Sequence, residues 1–334
     1  MKQAVLRIGG ALSTLLSLVV MIAACASEGS PAAVDRIDVV AGYDGLLFDS
    51  HAHLDEDGLA PRLGVQMQRQ GVERSVLFAH IDPDDVDAGV DDLEDEIGRY
   101  PGMFVPFFHV NPQSPSDIRP ERASRVIDES GVQFKGYGEM AFYRPPFQQT
   151  HADGPEFDSV FVFAAERNLI VMIHIRGEQV DELRRALDAH PDTTILLHGP
   201  EREVYEALPD MLRTYPNLYY TLDTATLASR PGTIGYLDIL MFSEGGKQTL
   251  LDGLADPQAM AEQKAELWLP VIQAAPDRVM WGTDVAFDWH VDEDAYGALV
   301  DLSRRFIEQL PAELRDGYAR GNAEQLLGEG VTFD

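Results

Sequence analysis

Leu46–Asp55 reads LLFDSHAHLD, an apolar run that ends in two histidines one residue apart. In a β-strand, residues two apart point to the same side, so this spacing predicts that His51 and His53 aim their imidazoles at one point. A strand end can hold a metal ion in that way. A lone HxH also suits a hydrogen-bonded strand terminus, and what separates the two readings lies further along the chain. VMIHIRG ends an apolar run at His174, TILLHGP ends another at His198, and RVMWGTDVAF ends a third at Asp284. Imidazole and carboxylate are the ligands that borderline divalent ions such as zinc select, and zinc hydrolases leave one position open for water. The repeated pattern predicts a metal-dependent enzyme.

The order HxH, His, His, Asp resembles the amidohydrolase superfamily. The likeness is closest to its amidohydrolase-related group of metal-dependent hydrolases, which opens with DSHAHL-type strands and ends near GNAEQLL, here Gly321–Leu327. The resemblance implies one (β/α)8 TIM barrel over residues 45–334, with metal ligands on its first, fifth, sixth and eighth strands. It implies that Asp284, in WGTD, touches the metal and serves as the general base that takes a proton from water, with His198 as its catalytic companion. The competing structural reading of Asp284 is a helix cap after a strand. As isolated residues, His174 and His198 would be hydrogen-bonded core histidines; their order in the chain argues for ligands.

The fourth strand is ambiguous. Family members with two metals supply a bridging carboxylate there. Lys135 and Glu139 are four apart in VQFKGYGEM and so share a face, Glu139 nearer the C-terminal mouth. GYGEM resembles the strand end of the metal-dependent deoxyribonuclease branch, so Glu139 is taken as a ligand and Lys135 as a deeper barrel residue. The expected metal set is therefore His51, His53, Glu139, His174, His198 and Asp284, holding one or two divalent ions, with zinc expected.

Substrate contacts are expected from Arg176, two residues past His174, and from Tyr143 and Arg144 after the fourth strand. Arginine there suits a substrate carboxylate or phosphate. His80 and His109 end the second and third strands. Each of these also fits a loop salt bridge or a partner that orients a ligand.

Strand-like and helix-like runs alternate along the chain, the pattern of βα units. Further strands are predicted at Val72–Ala79, Met103–Val110, Val132–Met140 and Leu218–Asp223, with helices at Gly58–Gln70, Asp84–Arg99, Glu121–Glu129, Phe157–Asn168, Glu178–Ala189 and Glu201–Thr214. One connection breaks the rhythm. Residues 224–277 join the seventh strand to the eighth through turn-rich SRPGTIGY and SEGGKQ, with Leu267–Ala275 as the helix proper. So long an insertion suits a lid, a stabilising excursion or an oligomer contact.

The chain has 334 residues, 45% of them hydrophobic, enough to bury a full core. Residues 1–24 stand apart: Lys2 and Arg7 precede an apolar stretch that ends Ile22-Ala23-Ala24-Cys25, which reads as a secretory signal and looks like a bacterial lipobox. Cys25 is the single cysteine, so an intramolecular disulfide is excluded and lipidation is its expected use. Residues 25–44 would then tether an extracytoplasmic protein to a bacterial membrane through acyl chains. The formal charge of −30 repels phosphate backbones, so nucleic acid is excluded as a partner in favour of a small-molecule substrate. The oligomeric state stays open, a homodimer among the options.

Together these readings describe a metal-dependent hydrolase of an amide, cyclic amide, lactone or ester. The alternatives are a decarboxylase with the same ligands, a small-phosphoester hydrolase, and a lipoprotein that binds a ligand without turnover.

Overall fold

The computed structural model describes residues 36–39, 41–53, 58–109, 118–142, 147–199, 201–228 and 245–333. The signal and lipobox region with Cys25, Tyr143 and Arg144, and SRPGTI of the long connection all lie outside them. Eight strands follow in chain order, each paired in parallel with the next. They are β1 (Leu47–Asp49), β2 (Val72–His80), β3 (Phe104–His109), β4 (Gly136–Ala141), β5 (Ile170–His174), β6 (Ile195–His198), β7 (Leu218–Asp223) and β8 (Val279–Gly282). Helices α1 (Leu59–Gln70), α2 (Val86–Ile97), α3 (Pro120–Glu129), α4 (Pro155–Arg167), α5 (Val180–Ala189) and α6 (Arg202–Thr214) alternate with the first seven strands. After β7 come α7 (Thr224–Leu227), α8 (Lys247–Gly253) and α9 (Pro257–Ala274); after β8 come α10 (Glu293–Gln309), α11 (Ala312–Asp316) and α12 (Asn322–Leu327). The architecture is a (β/α)8 barrel with a long β7–β8 connection.

Strand alternation divides the core. Phe48, Val76, Phe78, Val105, Phe107, Ile170, Met172, Leu196 and Met280 fill the barrel interior, with Ala323 and Leu327 of α12 joining them. Their strand neighbours Leu77, Phe108, Val171, Ile173, Leu197, Leu222 and Trp281 face the helices in a second cluster. Burial on both faces is why the strands read as near-continuous apolar runs. β1 and β8 close the ring through short contacts: Ser50 N–H donates to the Trp281 carbonyl at 2.9 Å, Asp284 N–H to that of His51 at 2.9 Å, and His53 N–H to that of Val285 at 2.7 Å. The Asp49 carboxylate reinforces this seam, accepting from Thr283 N–H at 2.8 Å and Thr283 Oγ1 at 2.6 Å.

Several sequence expectations need correction. β1 is only three residues long, and His51 and His53 follow it, the latter in an isolated bridge to Phe78. β4 begins at Gly136 rather than Val132, and Lys135 is exposed rather than deep in the barrel. The ladder to β5 is irregular between Tyr137 and Met140, so the alternation that put Lys135 and Glu139 on one face is broken between them. The last helix before β8 starts at Pro257, ten residues ahead of the expected Leu267. Asp256 caps it by accepting from Ala259 N–H at 3.0 Å, and Pro257 fits its first turn. Lys247 and Gln248, read as turn, open α8.

The described part of the expected tether is hydrogen-bonded to the barrel. Ile37 N–H donates to the Arg69 carbonyl at 2.8 Å and Tyr43 N–H to that of Arg304 at 2.9 Å. The Arg304 guanidinium returns bonds to the carbonyls of Tyr43 and Gly45 at 2.7 and 2.8 Å. Among the described residues, no helix is long and apolar enough to cross a membrane.

Candidate metal centre

The C-terminal ends of β1, β4, β5, β6 and β8 bring His51, His53, Glu139, His174, His198 and Asp284 to one place. Nε2 of His51 and Nε2 of His53 lie 3.1 Å apart, and Oδ1 of Asp284 stands 3.6 and 3.4 Å from them. Glu139 reaches this group with Oε2, 3.4 Å from His53 Nε2. Its Oε1 turns to a second group, 2.5 Å from Nε2 of His198 and 3.5 Å from Nδ1 of His174. Two triads, His51 with His53 and Glu139, and His174 with His198 and Glu139, thus share one carboxylate. The side chains of His51 and His174 are fully buried, whereas His53 and Asp284 retain 9% and 10% exposure, so the opening lies on the side of the latter pair.

Local backbone geometry serves this convergence. Asp284 has φ 59°, the left-handed region that aspartate tolerates better than most residues, and this turns its carboxylate off the end of β8. Gly138 has φ 121°, and a Cβ there would run into the Met172 carbonyl, so glycine lets β4 approach β5 just before Glu139.

A ring of carboxylates and hydroxyls holds the rings from behind. Asp223, at the end of β7, accepts from Nδ1 of His51 and from Nδ1 of His198, both at 3.1 Å. Glu201, just after β6, accepts from Nε2 of His174 at 2.8 Å. Thr221 Oγ1 bonds to Ser50 Oγ at 2.6 Å and donates to Asp223 at 3.3 Å. Sequence reasoning placed Asp223 only as a strand end and Glu201 only as a helix start. The signal that could have found Asp223 was present: β7 also leads to a carboxylate, as the run through β8 leads to Asp284.

Electrostatics follow from these neighbours. Burial opposes ionisation of Glu139, but the charge of His198 and bonds from His174 and His198 more than offset it and hold the carboxyl well below the usual range. Burial likewise works against protonation of His198, yet Glu139 and Asp223 raise it well above the ordinary imidazole value. For Asp223, burial is again overcome, here by His51 and His198, and the carboxyl is lowered.

The donor set fits a divalent cation. Nδ1 of His51 donates to a carboxylate, so in the neutral ring Nε2 is the lone-pair nitrogen, and it faces a second imidazole nitrogen and an aspartate oxygen. Convergent lone pairs and carboxylates in a buried place repel one another unless protons or a cation sit between them. Buried clusters of this kind can hold a metal ion.

Arg176 donates through Nη1 to the Phe142 carbonyl at 2.6 Å and through Nε to Glu178 at 2.7 Å, clipping the ends of β4 and β5 together. The His109 ring centroid stands 6.5 Å from that of His53. Tyr143, Arg144 and the side chain of His80 lie outside the described residues.

Residues 48–328 match the family described as Amidohydrolase. Among solved structures, an amidohydrolase from Burkholderia multivorans with bound zinc is similar at 16% identity and TM-score 0.56, covering 85% of this chain and 100% of that one. A putative 2-pyrone-4,6-dicarboxylic acid hydrolase from Pseudomonas putida is similar at 16% identity and TM-score 0.53, covering 85% and 97%. A 2,6-dihydroxybenzoate decarboxylase from Rhizobium is similar at 13% identity and TM-score 0.51, covering 85% and 98%. No curated protein matches.

Proposed function

Because the chain belongs to the amidohydrolase family, we propose that it is a metal-dependent hydrolase of a small amide, cyclic amide, lactone or ester. The observation that carries this reading is Glu139, one carboxylate shared by two imidazole pairs, beside an aspartate whose carboxylate lies toward the opening. A proton acceptor next to paired cation sites is the equipment for splitting a bond with water.

His51, His53 and Asp284 would hold one ion and His174 with His198 a second, Glu139 lying between them; the imidazole and carboxylate donors suit zinc. Such ions supply Lewis acidity, which polarises the scissile group's oxygen and lowers the pKa of water. The protein's own residues then order the reaction. Asp284, set off the strand end by its left-handed backbone, takes the proton from the attacking water and passes it to the leaving group. Asp223 and Glu201 hold His51, His198 and His174 so that the ligands do not rotate during turnover. Arg176, oriented by Phe142 and Glu178, stands at the end of β5 where an anionic substituent of the substrate would be met. Tyr143 and Arg144 follow β4 in sequence and are proposed to contribute there too.

In the cell, the N-terminal segment is proposed to place the enzyme outside the cytoplasm, lipid-anchored through Cys25, where the acidic surface disfavours nucleic acid and leaves a small molecule as the partner.

The test pairs two assays on protein purified without chelator: metal content per chain, and turnover of a panel of amides, lactones and esters beside aromatic carboxylic acids. Two ions with hydrolysis supports the reading. One ion with carbon dioxide release from an aromatic acid would replace it by a decarboxylase.

A further inference from the structure

We propose that Asp223 is the positioning residue that sets both halves of the centre at once, fixing which nitrogen each half presents. The inference rests on the two-ion reading above. Asp223 is 2% exposed and lies behind the rings, away from the opening. Its two oxygens are divided between the halves: Oδ1 accepts from His51, partner of His53, and Oδ2 accepts from His198, partner of His174. An ionised carboxylate only accepts, so both rings carry their proton on Nδ1 and turn Nε2 inward.

His174 shows that this orientation is a local choice. It bonds through Nε2 to Glu201 at 2.8 Å and presents Nδ1 toward Glu139 instead. Glu201 therefore serves one half, while Asp223 serves both. Space for Asp223 is provided by β8: a Cβ on Gly282 would come within 2.7 Å of both Asp223 Oδ1 and Thr221 Oγ1. Three strands thus meet on this carboxylate, β7 that carries it, β6 that carries His198 and β8 that leaves room for it, with His51 arriving just past β1. An imidazole freed from its partner gains a second tautomer and ring flips, and ligands lose affinity when their orienting carboxylate is lost.

The experiment is a stepwise zinc titration of the full chain, wild type against Asp223→Asn and Glu201→Gln, with nitrogen NMR of zinc-loaded protein labelled at histidine. Asp223→Asn keeps the side chain's shape but removes the charge, so its one oxygen accepts more weakly from one ring while its amide group presents a donor to the Nδ1–H of the other. It is expected to weaken both zinc ions by about 10- to 100-fold while the melting temperature stays close to wild type. Glu201→Gln is expected to weaken one ion only. In wild type, His51 and His198 should show Nδ1–H and His174 Nε2–H. Wild-type zinc affinity in Asp223→Asn, or loss confined to one ion, overturns the role, as does Nε2–H on His51 or His198; the wild-type resonances decide it if the variant does not fold. Fewer than two zinc ions on the wild-type chain overturns the two-ion reading and this role with it.

Discussion

Glu139 Oε1 lies 2.5 Å from Nε2 of His198, while Oε2 of the same residue stands 3.4 Å from Nε2 of His53. One side chain on β4 therefore touches imidazoles that arrive from distant parts of the sequence. Replacing it by glutamine keeps the size and removes the charge that two cations would share. Glu139→Gln is expected to reduce metal content per chain from two ions to one or none, read by elemental analysis. Unchanged content would take Glu139 out of the ligand set.

Asp284 combines a left-handed backbone with a carboxylate close to both nitrogens of the HxH pair. Asparagine tolerates the same backbone, so Asp284→Asn should fold normally by circular dichroism. Losing the proton acceptor is expected to lower kcat by about 10²- to 10⁴-fold with a smaller effect on KM. A kcat near the parent value would assign the base to another residue.

Asp49 sits at the seam where β1 meets β8, accepting from the Thr283 N–H and hydroxyl at 2.8 and 2.6 Å and from the His51 N–H at 3.1 Å. Burial pushes its carboxyl up to about 7, against the lowering effect of those bonds. Asp49→Ala strands two buried N–H donors and leaves the Thr283 hydroxyl only the His51 carbonyl at 3.3 Å, and the expected loss is about 3 kcal/mol of stability in urea unfolding. A loss near zero would show that the seam closes through its backbone bonds alone.

Lys264 of α9 is 1% exposed, and burial lowers its pKa from 10.5 to about 8. A base whose folded pKa is depressed costs stability wherever the unfolded chain is protonated. The cost is full below about 8 and fades as pH rises toward 10.5. Lys264→Met is thus expected to raise stability at pH 7 by about 2 kcal/mol and to make little difference above pH ~10.5. Equal unfolding midpoints of the two proteins at neutral pH would sink this prediction.

Much of the fold was legible because each barrel strand is buried on both faces and ends sharply. The apolar runs ending at His174, His198 and Asp223 coincide with β5, β6 and β7 to within a residue or two. The strands at either side of the seam were overextended, since regular pairing there gives way to single bridges at Ala52 and His53. β4 was the harder case. Strict alternation paired Lys135 with Glu139, and only the irregular ladder with β5 separates an exposed lysine from a buried glutamate. The start of α9 was set ten residues late, at Leu267, although Asp256-Pro257 is a capping signal.

By itself, the sequence determined the alternation of strands and helices, the ligand-type residue at the end of each key strand, and the order in which those residues occur. These depend on local periodicity and on residue chemistry, which are written along the chain. Only the tertiary structure decided that Glu139 faces two pairs of imidazoles, that His174 turns Nδ1 inward while His51 and His198 turn Nε2, and that Asp223 stands behind two histidines 172 and 25 residues away. Those relations arise from ring closure: a parallel barrel sets strand ends from distant parts of the chain a few ångströms apart, and hydrogen bonds across that gap choose the orientation of each ring.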